Sequence, residues 1–381
     1  MKLKHKYSIK YSIKVAIRLI TQSRIATFIN CYLRLPQNYS FFIFGTHGVG
    51  FHSLLYYISL CKTKHNQNIY PMPLHILSKT FDLFGHFTSL RFYKVMHPII
   101  ARNKIEKWGM TFDGGMPRDE RWIKINLTKK VPAIILVRDP ILALTTTINY
   151  EIFCNIHSKL SVNYDQIYMY IFKHIKSTCG FKQNMQHMDD KISKYCFIDC
   201  SSLIGEKTYP TMKKLANFLD LSVSFHECFM HSINSTIQRY FASPIIYQQQ
   251  ELYLSSFPYF FRIMCYPYYF CPNYCDNLGY THRQEYISDI FPKETFFLFS
   301  KEEILMTPVL QKIIENYLND YKVIMEEYNR LKIDLPMLLE LIQKHDHINY
   351  IQTFLKEETS IIPEEILATW KAYSEFSRIV G

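Results

Sequence analysis

Two unbroken apolar runs stand out, each followed at once by a polar or glycine-rich turn. Ala133-Ile134-Ile135-Leu136-Val137 has no charge, and such a run reads as a strand buried on both faces within a parallel sheet. It stops at Arg138. Asp139 suits a helix N-cap and Pro140 its first turn, and the helix is expected to carry Ile141, Leu142, Leu144 and Ile148 inward. The other run, Phe41-Phe42-Ile43-Phe44, passes into Gly45-Thr46-His47-Gly48-Val49-Gly50 and then a helical stretch from Phe51 to Leu60. Repeated strand, turn and helix predict an α/β fold built on a parallel sheet flanked by helices.

Elsewhere the pattern is less regular. From Tyr11 to Leu33, Ile13, Ala16, Ile17 and Ile20 suit one face of a basic amphipathic helix. Pro71, Pro73 and Pro98 punctuate residues 61–120, and Asp113-Gly114-Gly115 marks a loop. Residues 151–195 read as helical. Residues 223–300 are irregular, with the aromatic and proline-rich stretches 257–261 and 266–270 suited to a core or to stacking on rings. The final part is helical, with a Ser300/Glu303 capping box and an apolar stripe through Leu310, Ile313, Ile314, Tyr317, Tyr321 and Ile324. The expected divisions are a basic helical segment 1–38, an α/β domain 39–300 and a helical region 301–381.

Charge sharpens this picture. The formal net charge is +11, from 44 Lys and Arg against 33 Asp and Glu. The first acidic residue is Asp82, so the whole excess lies ahead of it. That asymmetry fits a phosphorylated ligand or an anionic membrane surface. No zinc-finger, helix-turn-helix or RNA-binding signature accompanies it, so nucleic acid is not an expected partner. The 10 cysteines are scattered through 381 residues, unlike a small disulfide scaffold. Cys265, Cys271, Cys275 and His282 lack the paired spacing of common zinc sites, and no metal is expected. No apolar run is long enough to span a bilayer, which requires about 18 residues. A cytoplasmic protein, peripheral to an inner membrane, is the expectation. The apolar stripe near the C-terminus leaves the oligomeric state open.

Strand, glycine loop and helix is how a chain aims backbone N–H groups at a phosphate. Gly45 and Gly50 keep the spacing of a Walker A loop, but Phe51 and His52 occupy the places of its Lys and Ser/Thr. An ordinary ATPase or GTPase is therefore not predicted. Arg138 places a cation at the carboxyl end of a buried strand, where ligands of open α/β sheets bind.

Taken together these motifs resemble the sulfotransferase superfamily. Arg138, Asp139, Pro140 and Thr146 match its strand-end motif with a hydroxyl residue eight positions on. Cys196–Asp199, Leu203, Pro210 and Met212–Leu221 resemble its later strand, turn and helix. Trp122-Ile123-Lys124-Ile125-Asn126-Leu127 looks like its Lys-Thr-His-Leu strand end. The resemblance covers roughly residues 40–222. It implies a three-layer P-loop fold with a mainly helical C-terminal extension, and 3′-phosphoadenosine 5′-phosphosulfate as the donor. It further implies that Gly45, Thr46, Gly48, Val49, Gly50, Phe51 and Ser53 hold the 5′-phosphosulfate, assisted by His47 or His52. Arg138 and Thr146 would hold the 3′-phosphate, and Lys124 would stabilise the leaving phosphate; the family's acceptor-side residues often lie in the interval matching 61–120, which makes His86, His97 and Asp113 candidate bases.

The chain departs from the family in three places. Its first loop lacks Lys or Arg, Asn126 stands where cytosolic members place a basic His, and no late Gly-x-x-Gly segment occurs. The chain is also similar to bacterial surface-polysaccharide proteins labelled sugar transferases, which implies a glycan hydroxyl as acceptor. Two alternatives stay open: a transferase using a nucleotide sugar or activated phosphoryl donor, and a catalytically degenerate nucleotide-binding module in polysaccharide assembly.

Overall fold

The two hydrophobic runs become the centre of a sheet. The computed structural model describes residues 37–67, 69–73, 107–113, 123–124, 126–230, 245–247, 250–255, 281–283, 297–300, 308–344 and 348–380. Strand β1 (Tyr39–Gly45) lies between β3 (Lys107–Asp113) and β4 (Val131–Val137), and β4 also pairs with β5 (Ile192–Asp199). With β2 (Ile69–Pro73) at one edge, the order is β2-β3-β1-β4-β5, and every pair is parallel. β1 and β4 are buried almost throughout because they have a neighbour on each side, whereas edge strand β5 is partly exposed. Pro71 and Pro73 are tolerated in β2 because an edge strand has one side without a ladder to break.

Connections then dictate where the helices lie. Helix α1 (Phe51–Ser59) carries the chain from β1 toward β2. Helices α2 (Pro140–His157), α3 (Tyr164–Cys179) and α4 (Phe181–Asn184) carry it from β4 to β5, in the opposite sense across the sheet. Right-handed crossovers running in opposite senses put their helices on opposite faces. The carboxyl ends of β1 and β4 therefore border the crevice at which the topology switches, the usual ligand position in open α/β sheets.

Packing follows the patterns. Phe42, Phe44 and Phe112 are within 2 % of full burial, and the Phe44 and Phe112 rings stack at 5.1 Å. Leu54, Leu55 and Ile58 of α1 join this core, as do Met212, Leu215 and Ala216 of α5 (Thr208–Phe218). Ile141, Leu144, Ile148 and Ile152 of α2 form a second cluster with Ile167, Ile171 and Ile175 of α3. Leu142, expected inward, is 39 % exposed instead. It sits one residue, about 100°, around the helix from the buried stripe through Ile141, Ala143 and Leu144.

Several expectations are corrected. Residues 122–127 were predicted as a strand end. Within them the Leu127 N–H donates to the Ile123 carbonyl at 2.8 Å, a helical turn. Residues 223–300, read as irregular, include an antiparallel sheet of order β6-β7-β9-β8. Its strands are Ile245–Tyr247, Gln250–Ser255, Thr281–Arg283 and Phe297–Ser300. The N-terminal amphipathic segment, His86, His97, the aromatic stretches, three of the scattered cysteines (Cys265, Cys271, Cys275) and the Ser300/Glu303 box lie outside the residues whose side chains are described.

The C-terminal helices α6 (Pro308–Leu331), α7 (Leu335–Gln343), α8 (Ile348–Thr359), α9 (Glu364–Leu367) and α10 (Lys371–Val380) share both cores with the α/β part. Leu338, Leu355 and Phe376 pack in the α2 cluster, while Ile362 and Trp370 pack in the sheet cluster. Polar bonds fix the same contacts. The Trp370 indole N–H donates to Asp199 Oδ2 at 2.6 Å, and the Tyr373 N–H donates to Asp139 Oδ2 at 3.0 Å. Glu358 Oε2 accepts from the N–H groups of Lys182 and Gln183 at 2.7 and 3.0 Å, capping α4.

Glu358 is 2 % exposed, and burial pushes its carboxyl above the usual glutamate range, the two amides opposing. Between the ordinary value and the raised one, the native chain holds more protons than the unfolded chain. This group's contribution to stability therefore falls as pH rises through that window. Glu358→Gln, which keeps an acceptor oxygen but does not titrate, is expected to flatten the decline. Denaturant unfolding of both proteins from about pH 4 to about pH 8 checks this; identical slopes would contradict it.

Candidate functional site

The loop after β1 owes its shape to three glycines, each needed for a different reason. A Cβ at Gly45 would stand 2.2 Å from the Phe51 ring, which lies over it. Gly48 has φ +79°, and a Cβ there would meet the Ala143 carbonyl oxygen at 2.8 Å and Thr147 Oγ1 at 2.9 Å. Gly50 has φ +77°, precedes α1 in a left-handed conformation, and faces Cys200 Sγ. The loop thus rests directly on the second turn of α2, at the rim where β1, β4 and β5 end.

Side chains and backbone fasten it there. Asn184 Nδ2 donates to the Gly45 carbonyl at 2.7 Å and to the Phe112 carbonyl at 3.3 Å, tying the ends of β1 and β3. The His47 N–H donates to the Ser177 carbonyl at 2.9 Å. Arg138 Nη1 donates to the Gly48 carbonyl at 2.7 Å across the crevice. Among the described residues that carbonyl is Arg138's hydrogen-bond partner, and no carboxylate pairs with it. Asp139 instead caps α2, accepting from Ile141 and Leu142 N–H, as its position before Pro140 predicts.

Asn184 and Arg138 thus turn the Gly45 and Gly48 carbonyls toward the protein. Among the described residues, the N–H groups of Gly48, Val49 and Gly50 have no acceptor. Helix α1 opens with no side-chain cap and no acidic residue in its first turn. The first N–H groups of a helix have no intrahelical partner and carry partial positive charge. Thr46 is 2 % exposed and its Oγ1 has no hydrogen-bond partner. Leaving a buried hydroxyl unsatisfied costs about 1–3 kcal/mol. An anion with several acceptor oxygens suits such a loop.

The expected site residues divide accordingly. Gly45, Thr46, His47, Gly48, Val49 and Gly50 form the loop, and Phe51, His52 and Ser53 open α1. Val49 is fully buried and Phe51 nearly so, so they offer backbone rather than side chain. Arg138 joins the loop as expected. The Thr146 hydroxyl donates to the Leu142 carbonyl at 2.9 Å, and the hydroxyl residue beneath Gly48 is its neighbour Thr147.

Lys124 lies at the wrong end of the sheet. Two residues on, the Asn126 carbonyl accepts from Gln37 Nε2 at 3.0 Å, and Gln37 precedes the start of β1. The glycine loop is one strand length away, about 20 Å for seven residues. That exceeds the four-carbon stem of a lysine. The Lys124 expectation came from the likeness of 122–127 to a strand end, where Leu127 and Ile123 close a helical turn instead. Asp113 ends β3, beside Gly45 in register.

Sequence reasoning missed Asn184, Thr147, Cys200 and a histidine–glutamate pair. Asn184 Nδ2 reaches a carbonyl 139 positions away, so nothing local signals it. Cys200 lies beside Gly50 and Arg138; burial raises its thiol above the ordinary range, Arg138 opposing, so it stands there as a thiol. His174 Nε2 is 2.9 Å from Glu151 Oε1, and Lys173 Nζ is 3.3 Å from the same oxygen. His174 is one turn before Ser177, whose carbonyl holds His47. Burial holds its imidazole below the usual histidine range, the Glu151 carboxylate opposing. Nε2 is buried and, despite that short separation, makes no well-aligned hydrogen bond to the carboxylate.

No family model matches this chain, and neither a curated protein nor a solved structure matches it.

Glycine geometry gives a direct check of the loop. Gly48→Ala combines a left-handed φ with a clash against backbone, whereas Gly205, at φ +59°, has open space around its Cβ position. Gly205→Ala is expected to cost about 1 kcal/mol, and Gly48→Ala about 2–4 kcal/mol. Urea unfolding of the two variants measures the difference; equal losses would show that Gly48 does not rest on α2.

Proposed function

We propose that this chain is a sulfotransferase-like group-transfer enzyme with a phosphoadenosine-type donor seated at the Gly45–Gly50 rim. The observation that carries this is the Arg138 bond to the Gly48 carbonyl. It joins the two predicted halves of one anion site at the switch point of a parallel sheet. The residues present fit a phosphate: unbonded loop amides, an uncapped helix start, and the unsatisfied Thr46 hydroxyl. The donor's 5′-phosphate would take these groups. The 3′-phosphate would take the remaining N–H groups of the Arg138 guanidinium, whose planar fork suits a second anion.

The donor supplies an activated group on a good leaving phosphate. The protein's part is to hold that phosphate and to take a proton from the acceptor hydroxyl. His174, which lies beside the Glu151 carboxylate and one turn from the carbonyl that takes the His47 N–H, would serve as the base in place of the missing family histidine. Developing charge on the leaving phosphate would fall to the loop amides, because Lys124 is out of range. A hydroxyl of a bacterial surface glycan is the proposed acceptor, on the resemblance alone.

One alternative has a specific observation behind it. Lys124 at the far edge, with no lysine in the first loop, favours a nucleotide-binding module without turnover. A nucleotide-sugar donor is the remaining option and needs no 3′-phosphate grip.

Calorimetric titration with 3′-phosphoadenosine 5′-phosphate tests the proposal. Arg138→Ala is expected to weaken binding by about tenfold to a hundredfold, the loss of a charge-assisted bond worth about 1.5–3 kcal/mol. Thr46→Val is expected to weaken binding while leaving the ligand-free protein at least as stable, since it deletes an unsatisfied buried hydroxyl. Tighter binding of a nucleoside diphosphate sugar, unaffected by Arg138→Ala, would replace the donor assignment.

A further inference from the structure

We propose that the edge of the sheet opposite the nucleotide rim, where the parallel strands begin, docks on an anionic lipid surface. All five strands are parallel, so all begin along one edge, and lysines gather there. Lys107 opens β3, Lys129 and Lys130 directly precede β4, and Lys191 and Lys194 bracket the start of β5. Lys64 lies in the connection from α1 to β2.

The facing acids are Asp189, Asp190 and Asp220. Lys64 Nζ is 2.6 Å and Lys107 Nζ 3.8 Å from Asp220, and Lys191 Nζ is 2.8 Å from Asp190. Asp189 accepts from the Tyr195 hydroxyl. Lys129 and Lys130 are exposed, and neither is ion-paired among the described residues. The edge therefore keeps net positive charge.

A second observation converges on the same place. Gln37, held by Thr128 Oγ1 at 2.6 Å and by the Asn126 carbonyl, brings the preceding chain in at this edge. Residues 1–36 contain eight Lys and Arg and no Asp or Glu. Their apolar positions, Ile13, Ala16, Ile17 and Ile20, recur at helical spacing. Firm attachment to a bilayer takes two signals, such as an apolar insertion and a polybasic patch. A nucleic acid would use the charges but has no need of the apolar positions, so a lipid surface is the better fit. Docking this way turns the nucleotide rim toward solvent. The proposal is independent of what that rim binds.

The test is sedimentation of the full chain with vesicles at physiological salt. Binding is expected to vesicles of equal parts phosphatidylglycerol and phosphatidylcholine, and not to phosphatidylcholine alone. The double variant Lys129→Gln, Lys130→Gln is expected to lower partitioning by about tenfold or more. Lys182→Gln with Lys371→Gln removes the same charge at the opposite rim and is expected to change it by less than about twofold. Circular dichroism confirms that both variants are folded. Equal weakening by the two variants, binding that ignores lipid charge, or no binding overturns the proposal. So does displacement from vesicles by single-stranded RNA at a lower concentration than the lipid.

Discussion

A peptide group cannot present its carbonyl and its N–H to the same side, and the glycine loop depends on that constraint at the peptide joining Gly48 and Val49. Arg138 draws the Gly48 carbonyl inward, Asn184 draws that of Gly45, and Ser177 takes the His47 N–H. Among the described residues the N–H groups of Gly48, Val49 and Gly50 have no acceptor, and that of Val49 shares its peptide with the carbonyl that Arg138 holds. The loop is thereby ordered before any ligand arrives, and the entropy of ordering it is not charged against binding. Left-handed backbone at Gly48 and Gly50 is tolerable only because no side chain is present.

The bracing residues are themselves held from the C-terminal part of the chain. Glu358 caps the short helix that carries Asn184. Asp139, next to Arg138, caps α2 and also accepts the Tyr373 N–H. Asp199, next to Cys200, receives the Trp370 indole. Each carboxylate sits at a strand or helix end and is satisfied by backbone or indole N–H groups rather than by a cation. Buried carboxylates satisfied this way carry a desolvation cost, visible in the raised pKa of Asp139 and Glu358. They also join the C-terminal helices and the rim into one structural unit.

Hydrophobic runs were legible because burial on both sides leaves no polar position: β1, β4 and their following helices were read from such runs. Asp139 and Pro140 announced α2 by local chemistry. β2 and β3 were not legible. The prolines of β2 argue against a strand unless its edge position is known, and β3 mixes Lys107, Gly109 and Thr111 with apolar residues. The loop and Arg138 were legible as separate motifs, but their meeting was a matter of strand order. Lys124 was misplaced because the local conformation at 123–127 is set by tertiary packing. Asn184, Glu358 and Trp370 gave no signal, since what each one bonds lies far away in sequence.

The sheet's two edges differ in kind: one gathers acids already satisfied by N–H groups around unbonded amides, the other gathers lysines. Among the described residues no helix is long and apolar enough to cross a membrane. The most direct measurement is a crystal structure of the full chain with 3′-phosphoadenosine 5′-phosphate. The predicted result is a phosphate accepting hydrogen bonds from Gly48, Val49 and Gly50 N–H, with the Arg138 bond to the Gly48 carbonyl retained. A nucleotide bound elsewhere, or a loop that rebuilds with that bond broken, would contradict a preformed rim.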